Sequence, residues 1–243
     1  FRAGPIKPEV YQPEFDNARK LALPITVHVA SARKAVGQIE MLYQAKLLGK
    51  DVQLIHTLSA SAAELDMIKE TGSPVSSSPG SELRIGYGYP QLSEMLAKGI
   101  PLGISVDTSA LTGSSNLFGV LKLARDGENA KAESEFKMTA RKALELGTIE
   151  GARSMGMDDV IGSLKPGKRA DLIAISPNAL NMAVVTDPAH LVLEATGPEN
   201  VDTVVVDGRI LKRGGKLVAL NTPEVIAGAR AALAGVRART KWR

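Results

Sequence analysis

Thr26-Val27-His28-Val29-Ala30, Leu54-Ile55-His56-Thr57-Leu58 and Gly103-Ile104-Ser105-Val106-Asp107-Thr108 are short apolar runs, each ending on a residue able to bind a metal or move a proton. Strands of a parallel sheet, covered on both faces, read as such runs, and in a parallel α/β barrel the chemistry gathers at their C-terminal ends. The chain has 3 histidines, and His28 and His56 both stand at strand ends.

Working outward, the pattern between these runs is helical. Residues 13–22 predict an amphipathic helix opened by Pro13 and ended by Pro24, ahead of a strand over 25–29. The proline-bearing residues 1–12 read as a loop. A helix is expected over 32–48, closed by Gly49, then a strand over 52–55. Ser61-Ala62-Ala63-Glu64 has capping-box spacing and opens a helix to Thr71. Strands over 73–78 and 102–106 flank a loop at 80–89 and a helix at 92–98. A polar loop runs through Asn116, and the stretch 117–155 reads as two helices broken around the charged residues 126–135.

Strand and helix alternate four times, which implies right-handed βαβ units, a parallel sheet and half of an eight-stranded barrel. The texture changes after Gly162. Residues 170–175 and 201–211 predict strands, the latter a hairpin turned at Asp207-Gly208, and Gly214-Gly215 leads to a further strand at 217–220. The expected organisation is a partial (β/α) barrel over 1–162, a small β segment over 163–221 and a C-terminal helix over 222–243, capped by Thr222-Pro223-Glu224.

Composition narrows the functional classes. A length of 243 residues is enough to bury a sizeable core. Aromatic residues make up only 4%, which argues against stacking platforms for single-stranded nucleic acid. The net charge of +4 gathers partly in the last helix, at Arg230, Arg237, Arg239, Lys241 and Arg243. A solvated face at a helix C-terminus explains that cluster better than nucleic acid does, because no groove-reading motif accompanies it. With Cys at 0, a disulfide framework, a thiolate zinc site and a cysteine nucleophile are excluded. No apolar run has the length of a membrane span and no secretory signal is visible, so the expectation is a cytoplasmic enzyme with no membrane partner. The chain opens on Phe1 without a strand-like lead-in, as a piece of a longer protein would.

Two imidazoles and a carboxylate at strand ends form a donor set suited to zinc and similar divalent ions. One histidine after an apolar run is usually a structural residue. Three polar residues at matching ends favour the functional reading. His190, in Asp187-Pro188-Ala189-His190, opens a short helix and reads as structural. Gly86-Tyr87-Gly88 lacks the spacing of a phosphate loop.

These residues, with Ser78-Pro79-Gly80-Ser81 and the tail Gly147-Thr148-Ile149-Glu150-Gly151-Ala152-Arg153 … Ile161-Gly162-Ser163-Leu164-Lys165-Pro166-Gly167-Lys168-Arg169-Ala170-Asp171-Leu172, carry a family resemblance. The chain resembles the second half of the metal-dependent amidohydrolase superfamily, on the branch of chlorohydrolases and of triazine, cytosine and adenosine-type aminohydrolases. The resemblance implies the C-terminal half of a TIM-like barrel followed by part of a small β-sandwich. It implies His28 as metal ligand on barrel strand five. His56, on strand six, would contact the activated water or substrate, or bind a second metal. Asp107, on strand eight, would be ligand and general base. The implied cofactor is one divalent metal, zinc or iron. The implied reaction is hydrolysis of a non-peptide C–N bond, or of a ring halide, in a small-molecule substrate.

Two departures qualify this. The family's His-x-His pair on strand one has no counterpart here. Ser31 also stands where base-deaminating members carry a proton-shuttling glutamate, three residues after the strand-five histidine. Glu82 or Glu40 would have to substitute, with Glu82 the better placed. Loops 80–90 and 108–116 are expected to shape the pocket, with Tyr87 and Tyr89 either stacking on a flat substrate or packing the loop, and Ser31 and Glu82 touching the substrate. The competing reading is a non-catalytic binding or assembly module that lacks the metal pair. A phosphate-binding aldolase or isomerase ranks last, for want of a phosphate loop and a strand-borne lysine. A half-barrel leaves an unpaired edge, so the chain is expected to pair with its missing half or to form a homo-oligomer.

Overall fold

The computed structural model describes residues 8–32, 35–184, 186–240 and 242. Helix α1 (Pro8–Lys20) leads into β1 (Ile25–Val29), followed by α2 (Gln38–Gln44), β2 (Val52–His56), α3 (Ala62–Thr71), β3 (Val75–Ser77), α4 (Pro79–Arg84), α5 (Leu92–Ala97) and β4 (Leu102–Ile104). Then come α6 (Ser109–Thr112), α7 (Leu117–Lys131), α8 (Ala140–Leu146) and α9 (Ile149–Ser154). The remainder is β5 (Leu172–Ile175), α10 (Pro188–Ala195), β6 (Val201–Val206), β7 (Arg209–Arg213), β8 (Lys216–Leu217) and α11 (Thr222–Arg239). Strands β1-β2-β3-β4 pair in that order, all parallel, and β5-β6-β7-β8 form a second, antiparallel sheet.

The parallel sheet has one packed face. In β1, Ile25, Val27 and Val29 are buried while Thr26 and His28 are exposed. Val27 pairs with Leu54, and both pack into a core with Val75, Leu102, Leu42 of α2 and Ile68 of α3. Each such side chain contributes about 1.5–3 kcal/mol when fully buried. On the opposite face lie Thr26 and His28 with their partners Gln53 and Ile55.

Helix α9 closes the N-terminal end of that second face. Gln53 Nε2 donates to Ser154 O at 3.0 Å and to Ser154 Oγ at 3.1 Å. A Cβ on Gly103 would lie 2.6 Å from Ser154 Oγ and 3.0 Å from Gly151 Cα, so the close approach of β4 and α9 requires glycine. Gly103→Val is therefore expected to cost about 1–3 kcal/mol by overpacking, read as a lower urea midpoint with an unchanged slope. Between this face, α9 and the second sheet lies an open cleft of ≈ 1260 Å³, lined by apolar side chains such as Ile55, Val106, Leu121, Ile173 and Val204.

Several boundaries differ from expectation, each for a local reason. Helix α1 begins at Pro8 and carries Pro13 inside it, so the loop expected over 1–12 is helical from residue 8 and its first seven residues lie outside the described ones. Helix α2 covers only Gln38–Gln44, because Gly37 takes a left-handed φ of 83° at its start and Ala45 caps its end. The loop expected at 80–89 contains α4, with Pro79 at its first turn and Glu82 Oε1 accepting from Ser78 N at 2.7 Å. The polar loop after Asp107 holds the short α6, whose Thr108 side chain accepts from Ala110 N. The region 117–155 forms α7, α8 and α9, with α7 running through the charged stretch to Lys131 and Thr139 capping α8. The capping box is present as expected: Glu64 N donates to Ser61 Oγ at 3.2 Å and Ser61 N to Glu64 Oε2 at 2.9 Å. Asn221, one residue before the expected cap, caps α11. That helix carries Arg230, Arg237 and Arg239, while Lys241 and Arg243 lie outside the described residues. No described helix is long and apolar enough to cross a membrane.

Candidate active site

The C-terminal ends of the parallel strands are marked by sharp backbone turns. Ala30 after β1, His56 and Thr57 at the end of β2, and Asp107 after β4 all have positive φ, at 49°, 78°, 58° and 59°. For residues with a Cβ this conformation costs about 1–2 kcal/mol each, and such outliers cluster where a site demands a particular side-chain direction. The turns are tied together. Ser59 N and Oγ both donate to Ala30 O, at 2.9 and 3.0 Å, and Ala30 N donates to Gln38 Oε1 at 2.9 Å.

His28 and His56 come together here. Along β2 the residues Val52, Leu54 and His56 alternate onto the packed face, whereas His28 projects from the other. The left-handed backbone at His56 breaks that alternation, and the two rings lie 5.3 Å apart, tilted by 55°. His56 is 4% exposed. The edge of Tyr87 meets its ring at 5.9 Å and 81°.

Behind His56 stands Glu82, fully buried in the first turns of α4. Its Oε1 accepts from His56 Nδ1 at 3.0 Å and from Ser78 N at 2.7 Å, and its Oε2 accepts from Ser77 Oγ at 2.9 Å. With Glu82 as acceptor, the imidazole proton is assigned to Nδ1, which leaves the Nε2 lone pair for a metal or a substrate hydrogen.

The placement of the remaining candidates is mixed. Glu82, expected to touch substrate, has both its oxygens hydrogen-bonded within the protein, one of them to His56. Tyr87 packs against the His56 ring. Tyr89 is not available to stack on a flat substrate, because its hydroxyl is directed into α7 against Gly127. Ser31 is half-buried just past the β1 turn, and Glu40 is exposed on α2. Asp107 is exposed, three residues past the end of β4, with its amide held by Ser105 Oγ at 3.0 Å. It stands two strands away from β2 across the sheet. His190 lies on α10, where its backbone amide donates to the Asp187 side chain at 2.7 Å. The residue missed from sequence is Ser77, the last of β3, whose only signal is its position five residues before an acidic side chain. Ser78 belongs to the stretch Ser78-Pro79-Gly80-Ser81, which gives no sign of its backbone bond to Glu82.

The donor chemistry of His28 and His56 suits a divalent ion. Among the described residues, however, no group of three or more His, Cys, Asp or Glu could hold one. The described residues alone therefore complete no metal site.

Comparison with known proteins shows the family and the fold. Residues 6–211 match the Amidohydrolase family. Among curated relatives, a 5'-deoxyadenosine deaminase of Methanobrevibacter smithii is 29% identical over 228 residues, covering 89% of this chain and 52% of the relative. A zinc-bound adenosine deaminase from Xanthomonas campestris superposes with a TM-score of 0.93 at 22% identity, over 98% of this chain and 56% of that one. Atrazine chlorohydrolase from Arthrobacter aurescens TC1, complexed with zinc, gives 0.80 at 24% identity, over 93% and 52%. At such identities the two structures speak for the fold alone. The chain spans about half the length of the curated relatives it matches.

Proposed function

The chain belongs to the amidohydrolase family, and from that premise we propose that it carries the proton-handling part of a hydrolase acting on non-peptide C–N bonds or on ring-bound halide. The observation that supports this most is the juxtaposition of His28 and His56 at neighbouring strand ends, with His56 backed by a buried carboxylate. In this reading His28 and His56 would be two metal ligands, and further ligands would come from the part of the longer relatives that this chain does not span. A divalent ion bound there supplies a water of lowered pKa.

The chain's own residues do the rest. Asp107 accepts the proton from the attacking water. His56, held in one tautomer by Glu82, would present its Nε2 lone pair to that ion. Ser31 has no proton to give at neutral pH, so the site favours a leaving group that departs without one from that position. The remaining chain of the longer protein would also cover the free edges of β1 and β4.

The test is a paired assay on the full-length zinc-loaded protein, following ammonia release from 5'-deoxyadenosine and chloride release from atrazine. Turnover of either probe, abolished by chelation and restored by zinc, supports the proposal. Failure with both, in a protein that binds no zinc, would establish the second reading. The absence of a three-donor group among the described residues is the observation that favours it: a non-catalytic module on the same fold.

A further inference from the structure

Tyr89 has no part in the site described above, yet its phenol is tightly seated against α7. A Cβ built on Gly127 of α7 would lie 1.8 Å from Tyr89 Oη and 2.5 Å from Cζ, so the phenol occupies a notch that only glycine leaves open. Three buried oxygens surround this point: Tyr89 Oη, Glu94 Oε2 on α5 and Glu128 Oε1 on α7. None has a hydrogen-bond partner among the described residues. A phenol O–H donates and carboxylate oxygens accept, so the set is complementary. Burial raises the Tyr89 pKa far above the usual phenol value, and the nearby Glu128, Glu94 and Asp126 add to the rise, so the hydroxyl keeps its proton. Lys131, paired with Glu94, lies 5.9 Å over the Tyr89 ring.

The same segment is pinned again two residues on. Gln91 Nε2 donates to Leu58 O at 2.8 Å and Ala60 O at 2.9 Å, in the turn that follows His56. Tyr87, the residue against the His56 ring, projects from just before these two anchors.

We propose that Tyr89 is a positioning residue: seated in the Gly127 notch, it fixes where Tyr87 stands against His56 and so ties α7 to the wall of the candidate active site. The proposal deepens the functional reading and rests on it only for the consequence in turnover.

The test is therefore primarily structural. In the full-length protein labelled at histidine rings, the His56 signals are assigned by their loss in His56→Gln. Tyr87→Leu then defines the shift due to the neighbouring ring. Gly127→Ala, which expels the phenol, is expected to move the His56 signals in the same direction and by a comparable amount. Tyr89→Leu, which empties the notch without overfilling α7, serves the same purpose where Gly127→Ala does not fold. His56 signals that stay at their wild-type positions in either folded variant would overturn the proposal. On whichever probe substrate the protein turns over, Tyr89→Leu is expected to raise KM while kcat holds, because the emptied notch no longer fixes the wall residue Tyr87. If neither probe is turned over, the functional reading fails while the ring shifts still decide this proposal.

Discussion

Asp107→Asn in the full-length protein is expected to lower kcat on its substrate by about 10²–10⁴-fold, the span of a general base. The thermal midpoint should stay where it is. Asparagine is the informative substitution because of the backbone. Asp107 sits at φ 59°, a left-handed conformation that Asn tolerates and that alanine adopts only with strain. The side chain is exposed, and the recorded tie is through its amide to Ser105 Oγ, which the substitution leaves in place. The variant thus removes the carboxylate, as proton acceptor and as the metal ligand the resemblance implies, and leaves the backbone as it is. Circular dichroism and a melt on the same preparation establish that the fold is intact. A kcat within about threefold of wild type, well short of a general-base effect, would show that the proton goes elsewhere and would remove Asp107 from the mechanism.

The parts of this site that were readable from sequence are those set by local pattern. His28 and His56 close apolar runs of strand length, so their placement at the ends of β1 and β2 follows from periodicity. Asp107 follows in the same way from β4. The four-fold alternation of strand and helix likewise fixes a parallel sheet, and the capping box at Ser61 and Glu64 marks the start of α3. What could not be read is what depends on one residue's backbone angle or on a chain return. By alternation alone His56 belongs to the packed face and His28 to the other, and only the left-handed turn at His56 brings the rings together. Glu82 looked like a loop residue facing substrate. Pro79 starts a helical turn instead, and that turn folds the carboxylate back under His56. The seat of Tyr89 in α7 joins residues 38 positions apart, which no local pattern encodes.

Glu82 gives the second large effect, and it separates into two variants with opposite signatures. The carboxylate is fully buried and accepts three hydrogen bonds, from His56 Nδ1, Ser78 N and Ser77 Oγ. Glu82→Ala leaves those donors in a dry pocket without their acceptor, at about 1–3 kcal/mol for each that finds no other partner. The expected result is a clear drop in the melting temperature. Glu82→Gln behaves differently. Its carbonyl oxygen can take the place of Oε1 and accept from both Ser78 N and His56 Nδ1, while its amide donates to Ser77 Oγ. The packing and the bond count survive, and the negative charge behind the imidazole is what disappears. Loss of such a charge weakens the opposite ring nitrogen as a ligand and as a hydrogen-bonding group. The folded variant should therefore lose roughly 10–100-fold in zinc affinity or turnover. Chelator competition measures the first, and the nitrogen chemical shifts of the His56 ring report whether the proton still sits on Nδ1. A folded Glu82→Gln protein that binds zinc and turns over substrate as well as the wild type would reduce the buried pair to a packing contact.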